Sequence, residues 1–258
     1  MIELKDLYVS YDGVETVHGV DCSFPEGKIS VILGPNGSGK STTLKAIMRL
    51  VPEIKGKIFI GDEDLDDLTQ KDLAKRVAYL PQSRNVPDIT VSKLVMHGRF
   101  PYLSYPRRYR REDYRIVNEA LDWVGLKEYS ARKLENLSGG QRQKAYLAMA
   151  MAQDTATIIM DEPTTFLDIR NQFELLDRAR ILSDMGKTVI MILHDFESTL
   201  HYADHVVLMG DGEVRASGPA YDVISSKELR DTFGITPCFY EGDDGLHCYV
   251  KPQKEDQA

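Results

Sequence analysis

The chain has 258 residues, and its 40 Asp plus Glu against 32 Lys plus Arg give a net charge of −8 at neutral pH. This acidic balance argues against broad, sequence-independent nucleic-acid binding, which draws on a basic surplus. Hydrophobic residues at 42% and charged residues at 28% exclude a disordered chain and are enough for a real core. The length fits one large domain or a domain carrying an insert, because single cores stop growing at roughly 250 to 300 residues. The longest charge-free apolar stretches, residues 145–152 and 188–193, fall well short of the roughly 18 residues a membrane-spanning helix needs. The opening Met1-Ile2-Glu3-Leu4-Lys5 has no basic-then-apolar leader pattern, so the expectation is a cytoplasmic protein. Cys22, Cys238 and Cys248 cannot all pair and show no zinc spacing, so free thiols are expected.

In chain order, residues 1–9 alternate apolar and polar and Tyr11-Asp12-Gly13 supplies a turn, which predicts a strand leading into a hairpin. Residues 28–33 form a β-rich run feeding a glycine-rich stretch, and residues 41–50 have helical character. Short strands are predicted at 56–60 and 77–80, before Pro81 and Pro87 break the chain. From 91 to about 153 the pattern is mostly helical, with 99–115, rich in arginine, tyrosine and proline, read as an irregular interruption. Strand signals return at 157–160, 188–193 and 205–209, separated by helical stretches at 170–185 and 196–202. Alternating strands and helices imply a mostly parallel sheet covered on both faces, and the helical block then reads as an insertion into it. Beyond Gly234 the pattern loosens through Asp243-Asp244-Gly245 to a polar end at 254–258.

Gly34-Pro35-Asn36-Gly37-Ser38-Gly39-Lys40-Ser41 matches G-x-x-x-x-G-K-[ST] at every fixed position. Glycines let backbone amides turn toward phosphate oxygens, and the helix that follows presents its positive N-terminal end. Lys40 is expected against the β and γ phosphates, and the Ser41 hydroxyl on Mg²⁺, with Thr42 carried along as a nucleotide-binding position. A plain glycine-rich β-to-α turn would need neither the lysine nor the hydroxyl. Thr157-Ile158-Ile159-Met160-Asp161-Glu162 ends an apolar strand in two adjacent acids. Asp161 is expected to complete the Mg²⁺ shell and Glu162 to orient or deprotonate the attacking water.

Leu137-Ser138-Gly139-Gly140-Gln141, followed by a helix and then by the Asp161-Glu162 strand, resembles the signature of ATP-binding cassette (ABC) ATPases. The Ser-Gly-Gly start is itself suited to an anion. The resemblance runs over residues 1–235 with the family's motifs in order. It implies an α/β fold: a P-loop NTPase core with a mostly parallel sheet, an N-terminal antiparallel β subdomain and an inserted helical subdomain. Within a single ABC ATPase domain at 1–258, the expected parts are a nucleotide-binding core at 1–85 and 157–235, a helical insertion at 86–156 and a C-terminal extension at 236–258. The resemblance further implies that Ser138, Gly139, Gly140 and Gln141 serve the ATP held by a second copy, so that a homodimer closes head to tail over two ATP molecules. Tyr11 resembles the aromatic on which adenine stacks. Gln82 resembles the glutamine that senses Mg²⁺ and the γ-phosphate, Asp168 the loop that crosses the dimer interface, and His194 the histidine that grips the γ-phosphate.

Gly98-Arg99-Phe100-Pro101-Tyr102, Pro163-Thr164-Thr165-Phe166-Leu167-Asp168-Ile169 and Asn171-Gln172 look like segments of ATPases from bacterial importers of iron-siderophore complexes, haem and vitamin B12. The implied activity is hydrolysis of ATP to ADP and phosphate, coupled to uptake of a metal chelate, with a ferric siderophore ahead of haem or cobalamin. The implied partners are integral membrane permease subunits and, indirectly, an extracytoplasmic substrate-binding protein, with no nucleic acid. The implied place is the cytoplasmic face of the cell membrane, as a peripheral subunit. Arg107, Arg108, Arg110 and Arg111 form either a docking patch or a solvated basic loop. A GTPase is excluded because no Asn-Lys-x-Asp element occurs. An exporting cassette and a soluble repair or translation cassette share the nucleotide motifs, but this chain has neither a long coiled-coil insertion nor tandem cassettes.

Overall fold

The computed structural model describes residues 1–82, 86–243 and 245–253. The first stretch of chain forms β1 (Ile2–Tyr11), β2 (Val14–Phe24), β3 (Ile29–Leu33), α1 (Lys40–Ile47), β4 (Glu53–Ile60) and β5 (Glu63–Asp64). The middle forms α2 (Gln70–Leu73), β6 (Val77–Leu80), α3 (Val91–His97), α4 (Arg111–Trp123), α5 (Gly139–Ala152), β7 (Thr157–Met160) and α6 (Ile169–Asp184). The last stretch forms β8 (Thr188–Ile192), α7 (Phe196–Tyr202), β9 (His205–Gly210), β10 (Glu213–Gly218), α8 (Ala220–Ser225), α9 (Lys227–Phe233), β11 (Ile235–Gly242) and β12 (Gly245–Pro252). Two compact units result: Met1–Asp67 with the chain from Leu182 onward, and Leu68–Ile181.

In the first unit, β3 is an almost unbroken apolar run buried at all five positions. That composition suits a strand covered on both faces, and it pairs in parallel with β8 on one side and β9 on the other. Each Ile or Leu buried in this way contributes about 1.5–3 kcal/mol relative to exposure. The alternation at the N-terminus becomes the hairpin β1–β2, with Tyr11 opposite Val14, and β4 pairs with β1 on its other edge to make an antiparallel sheet. The strand ends therefore carry two loops into one unit: the phosphate loop after β3 and the His194 loop after β8.

The second unit pairs β6 with β7 in parallel, Leu80 opposite Met160, and its helices bury Leu94 and Val95 of α3, Val117 and Leu121 of α4, and Ala145, Leu147 and Ala148 of α5. It is wider than 86–156 because β6, β7 and most of α6 are compact with the helices. Within 99–115 the irregular stretch ends earlier than the composition suggested, since α4 starts at Arg111. The Asp113 carboxylate accepts from the Arg110 amide at 2.8 Å, capping the helix, and from Arg99 Nε at 2.9 Å. Arg99 also donates to the Ala152 carbonyl at 2.8 Å and stacks on the Tyr102 ring.

The loosening expected beyond Gly234 is not what forms. Residues 235–252 make an antiparallel hairpin, β11–β12, in unbroken register from Ile235↔Pro252 to Gly242↔Gly245. The β-forming runs Cys238-Phe239-Tyr240 and Cys248-Tyr249-Val250 outweighed the polar content. Asp244, the polar end at 254–258 and residues 83–85 of the expected core lie outside the described residues. All three cysteines are free thiols.

Candidate nucleotide site

The loop between β3 and α1 is held tightly by its own unit. Gly34 is buried, and a Cβ there would stand 2.3 Å from the Met209 carbonyl and 2.5 Å from Ser38 Oγ, so no larger residue fits. Gly39 has φ +92, and a Cβ there would lie 3.0 Å from the Thr16 carbonyl. The Lys40 side chain, 5% exposed, donates from Nζ to the carbonyls of Gly34 and Pro35 at 2.7 Å each. Burying an ammonium is costly without such partners. Ser38 Oγ is buried with no protein partner, while Asn36 and Gly37 face solvent and Pro35, Ser41 and Thr42 are half-buried. A glycine-rich loop at a helix start, with a buried lysine and an unsatisfied hydroxyl, fits a phosphate chain.

In the second unit the end of β7 gathers the acids. Asp161 is 2% exposed; it accepts from the Tyr79 hydroxyl at 3.1 Å, and its amide continues the β6–β7 ladder to the Leu80 carbonyl at 2.8 Å. Glu162 has φ +49, a backbone state that costs a non-glycine residue on the order of 1–3 kcal/mol and persists where neighbours over-determine it. Its carboxylate accepts from Gln82 Nε2 at 2.6 Å and from Thr165 Oγ1 at 3.2 Å. Gln82, Asp161 and Glu162 are thus brought together by the adjacency of β6 and β7. The Asp161 carboxylate and the Gln82 amide oxygen are hard oxygen donors of the kind Mg²⁺ takes, and so, in the other unit, is the Ser41 hydroxyl.

The remaining candidates occupy separate positions. Tyr11 is half-buried at the β1–β2 turn. Ser138 is exposed and caps α5 through a reciprocal pair: its Oγ accepts from the Gln141 amide at 3.2 Å, and Gln141 Oε1 accepts from the Ser138 amide at 3.1 Å. Gly139 stands open, whereas a Cβ on Gly140 would lie 2.7 Å from the Asn171 side chain. Asp168 is exposed; the Asn171 amide, then the Asn171 side chain, hold its carboxyl below the usual carboxylate range. His194 is exposed just past β8, and the next residue, Asp195, caps α7 by accepting from the Glu197 and Ser198 amides at 3.2 and 2.8 Å.

Four supporting contacts were not foreseen from the sequence, although Thr165 and Asn171 lie in the importer-like segments: Tyr79 on Asp161, Thr165 on Glu162, Asn171 on Asp168, and Gln143, whose Nε2 donates to the Pro163 carbonyl at 2.9 Å. Thr165 and Asn171 each follow the acid they hold by three residues, the spacing of a local turn. Tyr79 and Gln143 give no sequence signal, because their partners come from other elements.

A lysine-bearing phosphate loop between a buried strand and a helix, with paired acids at a second strand end, defines a P-loop nucleotide hydrolase. The family model described as ABC transporter matches residues 17–165. The chain is 38% identical over 236 residues to the achromobactin transport ATP-binding protein CbrD of Dickeya dadantii (strain 3937), covering 91% of this chain and 88% of that one. It is 37% identical to the iron(3+)-hydroxamate import ATP-binding protein FhuC of Bacillus subtilis (strain 168), again covering 91% and 88%. Among solved structures, a chain described as belonging to a metal-chelate type ABC transporter in an inward-facing conformation superposes with a TM-score of 0.84 at 24% identity, covering 97% of this chain and 96% of that one, which bears on the fold alone. The dimeric bacterial ABC transporter cassette MJ0796 gives a TM-score of 0.75 at 27% identity, covering 85% and 99%.

The chain belongs to the ABC transporter family, as its ATP-binding and ATP-hydrolysing subunit. Its hydrolysis of ATP is coupled to transport. Among the described residues no helix is long and apolar enough to cross a membrane.

Proposed function

We propose that this chain powers import of a ferric siderophore, acting as two copies that close over two ATP molecules beneath integral membrane permease subunits at the cytoplasmic face of the membrane. An extracytoplasmic substrate-binding protein delivers the cargo, and nucleic acid is not a partner. The cargo class is supported by the relatives, whose names specify achromobactin and iron(3+)-hydroxamate. The observation that carries the catalytic reading is Glu162: a carboxylate at a strained strand end, gripped by Gln82 at 2.6 Å beside a buried Asp161.

In this reading the amides of loop 34–39 with Lys40 bind the β and γ phosphates, Ser41 and Thr42 sit at the start of α1 below them, and Tyr11 stacks on adenine. Mg²⁺, when bound, neutralises charge that develops between the phosphates, and Ser41, Asp161 and Gln82 are the residues that would hold it. Glu162 takes the proton of the attacking water, and Gln82, its hydrogen-bond partner, aligns it. His194 and the 138–141 turn of the second copy position the γ-phosphate, and Asp168 holds the loop that meets that copy. Deleting the chain should lower uptake of one ferric chelate and spare growth on plain iron salts, read by accumulation of labelled iron; a loss confined to cobalamin-dependent growth would assign the cargo elsewhere.

A further inference from the structure

The C-terminal hairpin is fastened to the helix that leaves the His194 loop. Glu197, in the first turn of α7, accepts with one oxygen from His247 Nδ1 at 2.5 Å and with the other from the Cys248 amide at 2.7 Å, both on β12. His247 is in turn stacked on Tyr240 of β11, ring centroids 5.1 Å apart at 18°, and the two residues are cross-strand partners. One residue before Glu197, Phe196 packs edge-on against Phe233 at 5.1 Å, just ahead of the hairpin. Burial, then the Glu197 and Asp195 carboxylates, push the Cys248 thiol up to about 12.

This grip serves no purpose that α7 itself requires. The helix is seven residues long and already capped by Asp195, so a further charge-assisted clasp at its first turn fixes where the chain leaves β8 rather than whether the helix forms. His194 lies three residues before Glu197, and only Asp195 and Phe196 separate them. We infer that Glu197, clasped by His247 and the Cys248 amide of the C-terminal hairpin, is a positioning residue that sets the place of His194 in the hydrolysis reaction. The inference rests on the reading of His194 as the γ-phosphate contact, and it gives the hairpin a part in turnover.

The test is steady-state phosphate release by the full-length chain, with thermal unfolding followed on the same samples. His247→Phe keeps the ring on Tyr240 but removes the donor; Glu197→Ala removes the acceptor; His247→Asn returns an N–H close to where Nδ1 stood. The first two should lower kcat by about ten-fold, within the 10²-fold that a misplacement near 1 Å can cause, while leaving KM for ATP within about two-fold. His247→Asn should recover most of the lost kcat, and Glu197→Ala added to His194→Ala should cost nothing more. Wild-type kcat in His247→Phe and Glu197→Ala beside a slow His194→Ala would overturn the inference and leave the His194 reading standing. Wild-type kcat in His194→Ala would remove that reading and the inference with it. Failure of His247→Asn to rescue, or a full additional loss in the double variant, would reduce the hairpin to packing and also overturn it.

Discussion

Loop 34–41 and turn 138–140 are both glycine-rich starts of a helix, the kind of place where an anion binds, yet they are built in opposite ways. Around the first, the surrounding unit closes in: Gly34 has no room for a methyl group beside the Met209 carbonyl, and Lys40 is buried against two carbonyls of its own loop. At the second, Ser138 and Gly139 are exposed, and the Ser138 side chain is spent on capping α5. A closed loop with a buried cation can grip a polyphosphate with its own residues. An open cap whose one polar side chain is already engaged offers the glycine backbone and space, which become useful when another surface brings the phosphate to it. The contrast is what a site shared between two copies of the chain requires, and it teaches that the two halves should fail differently when altered.

The largest expected effect holds the two halves together instead of breaking either. Glu162→Gln keeps the hydrogen bonding of the strand end and removes the basic carboxylate, so hydrolysis should fall by about 10²- to 10⁴-fold while ATP still binds. Size-exclusion chromatography with ATP should then show an accumulated dimer, and near-normal phosphate release would move the general base elsewhere, to His194 first. Lys40→Ala breaks the closed half. Loss of one preorganised charge at the phosphates should cost about 10²- to 10³-fold in turnover, and here binding should go with it, as measured by ATP titration of the isolated chain. The smallest effect sharpens the open half: Ser138→Ala removes the α5 cap and should lower stability by about 1 kcal/mol, visible in the unfolding midpoint, with ATP affinity of the isolated chain unchanged.

The closed half was legible in the sequence because its chemistry is local: glycines, lysine and hydroxyl must sit at fixed spacing on one turn, so the residues that do the work are neighbours along the chain. The same holds for Asp161-Glu162 and for Ser138 with Gln141. What was illegible depends on partners far away in sequence. Tyr79 reaches Asp161 across 82 residues, Arg99 pairs with Asp113 across an irregular stretch that composition marked only as a break, and Glu197 meets β12 across 50. The C-terminal hairpin was missed for a different reason, since its polar content masked the β-forming runs Cys238-Phe239-Tyr240 and Cys248-Tyr249-Val250. The buried strands β3, β7 and β8 were plain because doubly covered strands need continuous apolar runs, whereas β10, exposed at every second residue, carried a weaker signal.

The claim that each ATP is served by two chains is tested most directly by mixing Lys40→Ala, damaged in the closed half, with Ser138→Arg, damaged in the open half. Each variant alone has two damaged sites in every dimer, so each should be nearly inactive. The mixed dimer places the intact loop 34–41 of the Ser138→Arg chain against the intact turn 138–140 of the Lys40→Ala chain and gathers both lesions in its other site. The account predicts that phosphate release by the mixture rises clearly above that of either variant alone; release equal to the average of the two separate preparations, in samples that form mixed dimers with ATP, would contradict it.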